Sequence, residues 1–472
     1  MQMGTPFVKL TSVMRGHAGP RRVTVVGAGL SGSLMSICLA RRGWTVDVFE
    51  RRPDPRVGVA GEGRSINLGL SARGIAALDH VGLLDAVLAK ATPMRGRVVH
   101  QADGGLDVQP YGTSAEQILR SVLRHDLNVL LIDAAEAAGA SFHFGAKLTG
   151  LAKGGPDQEP SCRLATAAGE RIVSAETVVG ADGAFSAVRA QLHRGEPADY
   201  SQEFLPWGYK ELYIPPGDGG LRTDHQALHV WPGHDGLVVA HPNVDASLTG
   251  TIFLPLTGPD SFATLDSVSS VKALLDRRFP DLLDIAPNAV DEILEQPVGH
   301  LVTVRTSPWH HGDRVVLIGD AVHAVYPFYG QGMNSSFEDC LVLDGCLDRN
   351  GTDVTAAFAE YQTLRKVNTD VLAELSKWNF TELSSRLASP LFLARKRADL
   401  ALHRMLGDAW TPLYTMVSHT TMPYAEALRR ADRQQRALGV AAGAATAAVV
   451  ATGLTLATAL RNRRVPHRKS DV

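Results

Sequence analysis

The apolar positions of the chain follow three rhythms, and each predicts a different kind of element. Short runs rich in β-branched residues, Val23 to Val26, Val46 to Phe49, Thr177 to Val179 and Val315 to Ile318, read as strands of a parallel sheet. The last of these predicts a central strand covered on both faces. From Tyr200 to about His300 the period is two, with turn clusters at Pro215 to Gly220, Pro232-Gly233 and Thr257 to Asp260. That is the pattern of an antiparallel sheet inserted into the first unit. Helical spacing covers Ser33 to Arg42, Ile75 to Leu88 and Glu116 to Ala138, and returns from Cys340 to Arg436. Met94 to His100 and Leu106 to Tyr111 alternate around Asp103-Gly104-Gly105, a hairpin signal that puts Arg97 and Tyr111 on paired strands.

These rhythms predict an α/β chain: a Rossmann-like dinucleotide-binding domain, an inserted antiparallel sheet for the substrate, and C-terminal helices. The dinucleotide unit is discontinuous, over residues 21–72, 113–199 and 301–350. The substrate sheet takes 73–112 and 200–300, the helical region 351–436, and residues 1–20 form a loose arm with no apolar period. Leu438 to Leu460 is an uncharged run of small and apolar residues, long enough at about 1.5 Å per residue to cross a bilayer. Its many alanines and four threonines make insertion marginal, and it is expected to associate the C-terminus with a membrane.

Composition narrows the function classes. A net charge of −2 over 472 residues offers no broad basic surface, so no nucleic-acid partner is expected. The four cysteines show no metal-binding spacing, and no metal is expected. Nothing at the N-terminus has the apolar core of a secretory signal, so the catalytic part is expected in the cytoplasm. His310 and His311 lack a third ligand at useful spacing and are expected at the surface.

The candidate chemistry sits at two glycine-broken strand ends. Gly27-Ala-Gly29-Leu-Ser-Gly32 follows the first strand and opens the first helix, with Glu50 ending the next strand. Gly27 makes the turn, Gly29 admits a pyrophosphate, Gly32 lets helix and strand pack, and Glu50 can hold ribose hydroxyls. Spacing alone does not separate FAD from NAD. Around the second end, Gly319 turns the chain after Ile318, which leaves Asp320 at the carboxyl end of its strand, able to accept a ribityl hydroxyl. Gly330 and Gly332 leave room for a flat ligand. The helix entered at Met333 and Asn334 points free amides at the same place, where a reduced flavin anion would be stabilised.

The run Asp313 to Asn334 resembles the second flavin motif of the single-component FAD-dependent aromatic hydroxylases. Thr177 to Arg189, with Asp182 in its Asp-Gly pair, resembles their third fingerprint, associated with both FAD and NADPH. Within that family, Pro327-Phe-Tyr-Gly-Gln-Gly-Met-Asn334, Arg64-Ser-Ile-Asn-Leu68 and Leu375-Ser-Lys-Trp-Asn-Phe380 are similar to the kynurenine 3-monooxygenase branch. The resemblance covers about residues 21 to 436. It implies FAD and NADPH as cofactors, O2 and L-kynurenine as substrates, and hydroxylation to 3-hydroxykynurenine through a flavin C4a-hydroperoxide. It also implies that Arg97, Tyr111, Asn379 and Tyr414 hold the substrate, and that Arg124 lies beside the flavin. No side-chain nucleophile is required, since the cofactor does the chemistry. Two alternatives stay open: another tryptophan-derived aromatic, or a membrane flavoprotein that reduces prenyl chains. Tyr213, His229 and Trp231 are further candidates to line the pocket, although strand aromatics more often serve packing. The oligomeric state is not legible.

Overall fold

The structure, a computed structural model, describes residues 20–57, 66–112, 114, 116–155, 158–217, 223–233, 235–386, 390–439 and 455. β1 (Arg22–Val26) passes through a glycine turn to α1 (Leu30–Arg41) and β2 (Thr45–Phe49). Then follow β3 (Asn67–Leu70), α2 (Ala72–His80), α3 (Leu84–Leu88), β4 (Thr92–Met94), β5 (Gly96–His100), β6 (Leu106–Pro110), β7 (Leu119–Leu123) and α4 (Arg124–Ala137). β8 (Ser141–His143), β9 (Lys147–Ala152), β10 (Ser161–Thr166), β11 (Gly169–Ser174), β12 (Thr177–Gly180) and α5 (Ala187–Leu192) complete the first half.

The second half holds β13 (Asp199–Ile214), β14 (Ala227–Gly233), β15 (Gly236–Pro242), β16 (Leu248–Pro255), α6 (Val268–Arg278), α7 (Leu282–Ile285), α8 (Ala289–Glu295) and β17 (Gly299–Ser307). β18 (His310–His311), β19 (Val315–Leu317), α9 (Asp320–His323) and α10 (Gly332–Asn350) return to the first unit. α11 (Val354–Thr381), a π turn at Glu382–Arg386, α12 (Pro390–Leu406), α13 (Leu413–His419) and a helix over 424–439 close the described chain.

Two sheets carry the architecture. The first is six-stranded, in the order β18-β19-β12-β1-β2-β8, and parallel from β19 to β8. Its inner strands β19, β12 and β1 are buried because α1 and α4 cover one side of the chain's apolar runs and the remaining core closes the other. The second is seven-stranded, in the order β17-β13-β16-β15-β14-β5-β6. Alternation gives it two unlike faces. Leu212, Ile214, Trp231, Val238, Ala240 and Ile252 pack under α6 to α8. On the other face Val230, Leu237 and Phe253 meet Tyr326, Phe328 and Leu383.

Several expectations are corrected. Glu116 to Ala138 is not one helix: Leu119–Leu123 is a strand between β3 and β4, and the helix starts at Arg124. Two antiparallel neighbours decide a segment whose apolar spacing fits either state. The helix expected over Ile75 to Leu88 breaks at Gly82, whose φ is +65°. β19 is second from the sheet edge rather than central, with the two-residue antiparallel strand β18 outside it. β17 pairs with β13, so the chain leaves the substrate sheet after Ser307, not at residue 301. The helix expected to be entered at Met333 and Asn334 starts at Gly332, and the helical region after it is interrupted rather than continuous to Arg436.

The arm over residues 1–20 lies outside the described residues but for Pro20, as does the 438–460 segment but for Leu438, Gly439 and Thr455. Among the described residues no helix is long and apolar enough to cross a membrane.

Candidate active site

The cofactor cradle is built from backbone. Gly27 has φ +106°, and a Cβ there would come within 2.5 Å of the Ala181 carbonyl oxygen. At Gly32 it would lie 2.0 Å from the Gly27 oxygen, so β1, α1 and β12 meet through hydrogen atoms alone. Gly29 differs, since a Cβ there meets nothing within 4 Å. That leaves open space over the α1 N-terminus, where a pyrophosphate finds free amides. Glu50 is 6% exposed, and its carboxylate accepts from the Ala28 and Arg52 amides, both at 2.9 Å, and from Arg52 Nε at 2.9 Å. Burial pushes this carboxyl up, but the Arg52 contacts and the Ala28 amide more than reverse it and hold it below the usual range. Glu50 therefore braces the glycine loop as an anion, and a ribose would share its oxygens with these donors.

The second strand end stands against the first. Gly319, at φ +63°, packs so close to α1 that a Cβ would be 2.8 Å from Ser31 Oγ. The next residue, Asp320, is exposed and its carboxylate has no hydrogen-bond partner among the described residues. Gly330 is left-handed, at φ +66°, with open space where its side chain would be. α10 then starts at Gly332, so the first-turn amides of Gly332, Met333 and Asn334 have no carbonyl partner within the helix. The Asn334 side chain is consumed: it accepts from Ser71 N at 2.9 Å and donates to the Gly69 and Gly330 carbonyls at 2.8 and 2.9 Å. Its role is to tie β3 to the loop before α10.

Asp182 sits beside Gly27 and caps α5, accepting from the Ala187 and Val188 amides at 2.7 and 3.1 Å. Burial raises its carboxyl pKa against those bonds. Arg124 is the first residue of α4, exposed, with no side-chain partner among the described residues.

Three of the four predicted substrate residues form one cluster. Arg97 in β5 is half-buried and has no acidic partner among the described residues, and its guanidinium lies 5.9 Å from the Tyr414 ring centre. Tyr111, just past β6, stacks on Tyr414 at 5.7 Å, and Tyr329 also stacks on Tyr414, at 5.9 Å. The Tyr111 hydroxyl is buried without a hydrogen-bond partner. Burial drives the Tyr111 phenol well above its ordinary pKa, so it stays a neutral donor. An unpaired guanidinium beside an unsatisfied phenol is a receptor for a carboxylate, because each leaves a donor unmatched until an anion arrives. Asn379 stands apart from this contact, its amide donating to the Phe328 carbonyl at 2.6 Å. It holds the Pro327–Tyr329 turn against α11. Lys396 in α12 borders the cluster and pairs with Glu382; burial and the Arg97 charge push its ammonium down to about 8.

A buried charge network fixes these parts, and sequence reasoning missed it. Asp339 in α10 accepts from Gly319 N at 2.8 Å, His323 at 2.5 Å and Arg365 Nε at 2.7 Å. Burial pushes the Asp339 carboxyl up, but the His323 and Arg365 charges overcome this and hold it below the carboxylate range. Arg365 also pairs with Glu338, which lies 3.3 Å from Arg73 Nε. Arg73 in turn donates to the Val417, Thr420 and Met422 carbonyls and lies 3.9 Å over the Tyr424 ring. The network thus joins the Gly319 turn to the segment that carries Tyr414. Removing one member leaves the others charged and buried, which typically costs about 3 to 5 kcal/mol. The only signal in the sequence was four charges within helices that otherwise read as amphipathic.

Other candidates fall elsewhere. His229 and Trp231 are on the far face of the seven-stranded sheet: His229 bonds His100 at 2.9 Å, and Trp231 Nε1 donates to Asp281 at 2.7 Å. Tyr213 is on the near face but 39% exposed. His310 and His311 lie partly exposed on the edge strand β18. Among the described residues, Cys38, His80 and Asp344 have metal-ligand spacing, at the end of α1 away from the glycine turn. Both Asp344 oxygens are already held, by Arg42 and by His80.

Residues 21–348 match the FAD binding domain family, so the cradle takes FAD. The kynurenine 3-monooxygenase of Salinispora arenicola is 57% identical over 450 residues, 94% of this chain and 98% of its own length. That of Stenotrophomonas maltophilia is 41% identical over 429 residues, 89% of this chain and 92% of its own. Among solved structures, a tetrameric 2-methyl-3-hydroxypyridine-5-carboxylic acid oxygenase superposes with a TM-score of 0.63 at 21% identity, covering 79% of this chain and 95% of that one. PqsL of P. aeruginosa in complex with 2-aminobenzoylacetate gives 0.62 at 21%, covering 78% of this chain and 98% of that one. These two establish the shared fold and no more.

Proposed function

The chain belongs to the kynurenine 3-monooxygenase family, and from that premise we propose how its residues act. It is an FAD-dependent aromatic hydroxylase whose substrate is L-kynurenine, with O2 as co-substrate and NADPH as reductant. The bound, reduced flavin supplies the activation of oxygen. The protein supplies position. Gly29, the α10 amides and the free Asp320 carboxylate hold the cofactor, with Glu50, Arg124 and Asp182 at its edges. Met333 contributes its backbone amide in the first turn of α10. Arg97 and Tyr111 grip the α-carboxylate, Tyr414 packs beside them, and Asn379 acts through the Phe328 carbonyl. Phe253, Phe328 and Leu383 exclude water from the ring end. In kynurenine the ring amine feeds electrons to its ortho carbon, the carbon that receives the oxygen.

The observation that carries this reading is the half-buried Arg97 without an acidic partner, beside a buried hydroxyl that also lacks one. A prenyl-chain substrate would leave that guanidinium unused. The test is NADPH oxidation by purified yellow protein, with and without L-kynurenine, and the mass of the product. Stimulated oxidation with a product one oxygen heavier is expected; equal rates with and without L-kynurenine would sink the assignment. Arg97→Ala should raise KM at least thirtyfold, since losing a charge-assisted pair whose partner stays buried costs about 2 to 5 kcal/mol. Arg97→Lys should restore little, lacking the planar fork.

The uncharged run over 438–460 carries a second part of the proposal, that it associates the enzyme with a membrane without joining the chemistry. It follows the last substrate-site residue, Tyr414, by more than a helix length. Truncation after Arg436 should move the protein to the soluble fraction and keep hydroxylation. Full-length protein that needs no detergent would refute the anchor.

A further inference from the structure

We propose that His241 is the ring-end contact of the substrate site, a neutral imidazole that accepts a hydrogen bond from the aryl amine and fixes which ring carbon is presented. The inference rests on L-kynurenine being the substrate. His241 lies in β15, where Val238 and Ala240 face α6 to α8 while Leu237 and Val239 face Phe253 and Phe328. Strand alternation puts His241 with the second pair, on the side that bears Arg97. The register makes the link closer. Arg97 pairs with Leu228 across β5 and β14, and His229 pairs with Ala240 across β14 and β15, so Leu228 stands opposite His241. Arg97, Leu228 and His241 therefore form one row across three adjacent strands, on one face. Two strand spacings separate the ends, about 10 Å at the backbone. An amino acid gripped at its carboxylate by Arg97 and lying along this row brings its ring substituent towards His241.

His241 is half-buried and has no hydrogen-bond partner among the described residues. Neither ring nitrogen is sealed from solvent, so one is open to a ligand. The histidines on the opposite face are committed instead: His100 and His229 bond each other at 2.9 Å, and His229 also bonds the Asp224 carbonyl oxygen at 2.7 Å. Packing thus accounts for His229 and leaves His241 with a free nitrogen.

Burial pushes the His241 pKa down to about 4, so the ring is uncharged at neutral pH, one nitrogen donating and one accepting. The charge state suits the chemistry. A neutral nitrogen that accepts from the amine N–H leaves the amine lone pair conjugated with the ring and enriches the ortho carbon. An imidazolium would instead compete for that lone pair and make the ring a poorer nucleophile.

The experiment compares two ligands on FAD-loaded holoenzyme: L-kynurenine and its analogue lacking only the aryl amine. Dissociation constants come from the change in flavin absorbance on binding, and product formed per NADPH oxidised is measured for L-kynurenine. His241→Leu should weaken L-kynurenine about fivefold, the worth of one neutral hydrogen bond. The same variant should leave the analogue within about twofold, since it never made that bond. His241→Gln keeps an acceptor and should retain most of the L-kynurenine affinity. Product per NADPH should fall in the leucine variant and recover in the glutamine one. Equal loss for both ligands, or no loss for either, overturns the contact and reduces His241 to a wall of the pocket. If His241→Leu fails to hold flavin, His241→Met, an apolar side chain of similar volume, is read in its place by the same two criteria. Wild-type enzyme whose flavin ignores L-kynurenine but answers another aromatic amino acid defeats the substrate reading first, a result separable from any effect of the variants.

Discussion

Lys396 shows what a single side chain adds to the carboxylate clamp. Burial and the neighbouring Arg97 charge bring the Lys396 ammonium down to about 8. If the cluster holds the α-carboxylate as proposed, the protonated Lys396 adds a second cation near Arg97 below pH 8, and it is lost as pH rises through 8. The direction follows: KM for L-kynurenine should rise as pH climbs through about 8, with kcat little changed. The pairing of Lys396 with Glu382 limits the size of the effect, to about two- to fivefold for a partly screened charge. Lys396→Met should already show the higher KM at pH 7 and lose the step near 8. The difference between the two profiles removes the titration of the substrate's own amine. Parallel profiles would place Lys396 outside the reach of the substrate.

At the scale of elements, the glycine turn after β1 separates two roles that look alike in the sequence. Gly32→Ala must push a Cβ against a backbone oxygen 2.0 Å away, so the α1–β1 contact itself gives way. Gly29→Ala places its methyl in open space, where only a ligand would meet it. Thermal unfolding of apoprotein with a flavin titration should split them: Gly29→Ala unfolds as wild type does but binds FAD at least tenfold more weakly, and Gly32→Ala unfolds several degrees earlier. Equal unfolding temperatures would refute the steric distinction. The β-α-β unit was legible because these glycines answer to local backbone geometry. The Arg97–Tyr111 hairpin was legible for the same reason, from Asp103-Gly104-Gly105. β7 was not, since Leu119 to Leu123 becomes a strand only because β3 and β4 lie on either side. Nor was the network from Arg73 through Asp339 to Arg365, whose members lie almost 300 residues apart and meet only after both units have folded. His229 and Trp231 could be named only as candidates, with packing the commoner role for strand aromatics, because period two gives alternation without saying which face meets the cofactor.

For the whole molecule, the seven-stranded sheet is the wall that both halves share, with the Arg97 cluster on one face and a polar knot buried in the other. In that knot His229 is fully buried among His100, Asp224, Thr223, Trp231 and Asp281. Burial holds its pKa down at about 4 against an ordinary value near 6.5. The folded protein keeps this ring neutral while the unfolded chain protonates it below pH 6.5. Its contribution is therefore complete above 6.5 and is lost as pH falls towards 4, at about 1.4 kcal/mol per pH unit from this group. Asp281 and Asp339 have depressed pKa values, so their contribution stays intact down to the ordinary carboxylate range and is lost only below it. The two windows barely overlap. Between pH 6.5 and 4.5 the urea midpoint of the holoenzyme should fall steeply, and His229→Gln, which keeps a hydrogen-bonding side chain without a titrating ring, should flatten that fall while starting from a lower midpoint at pH 7. If variant and wild type decline in parallel, acid sensitivity comes from elsewhere, and the knot behind the substrate wall is a packing feature with no say in how the enzyme responds to pH.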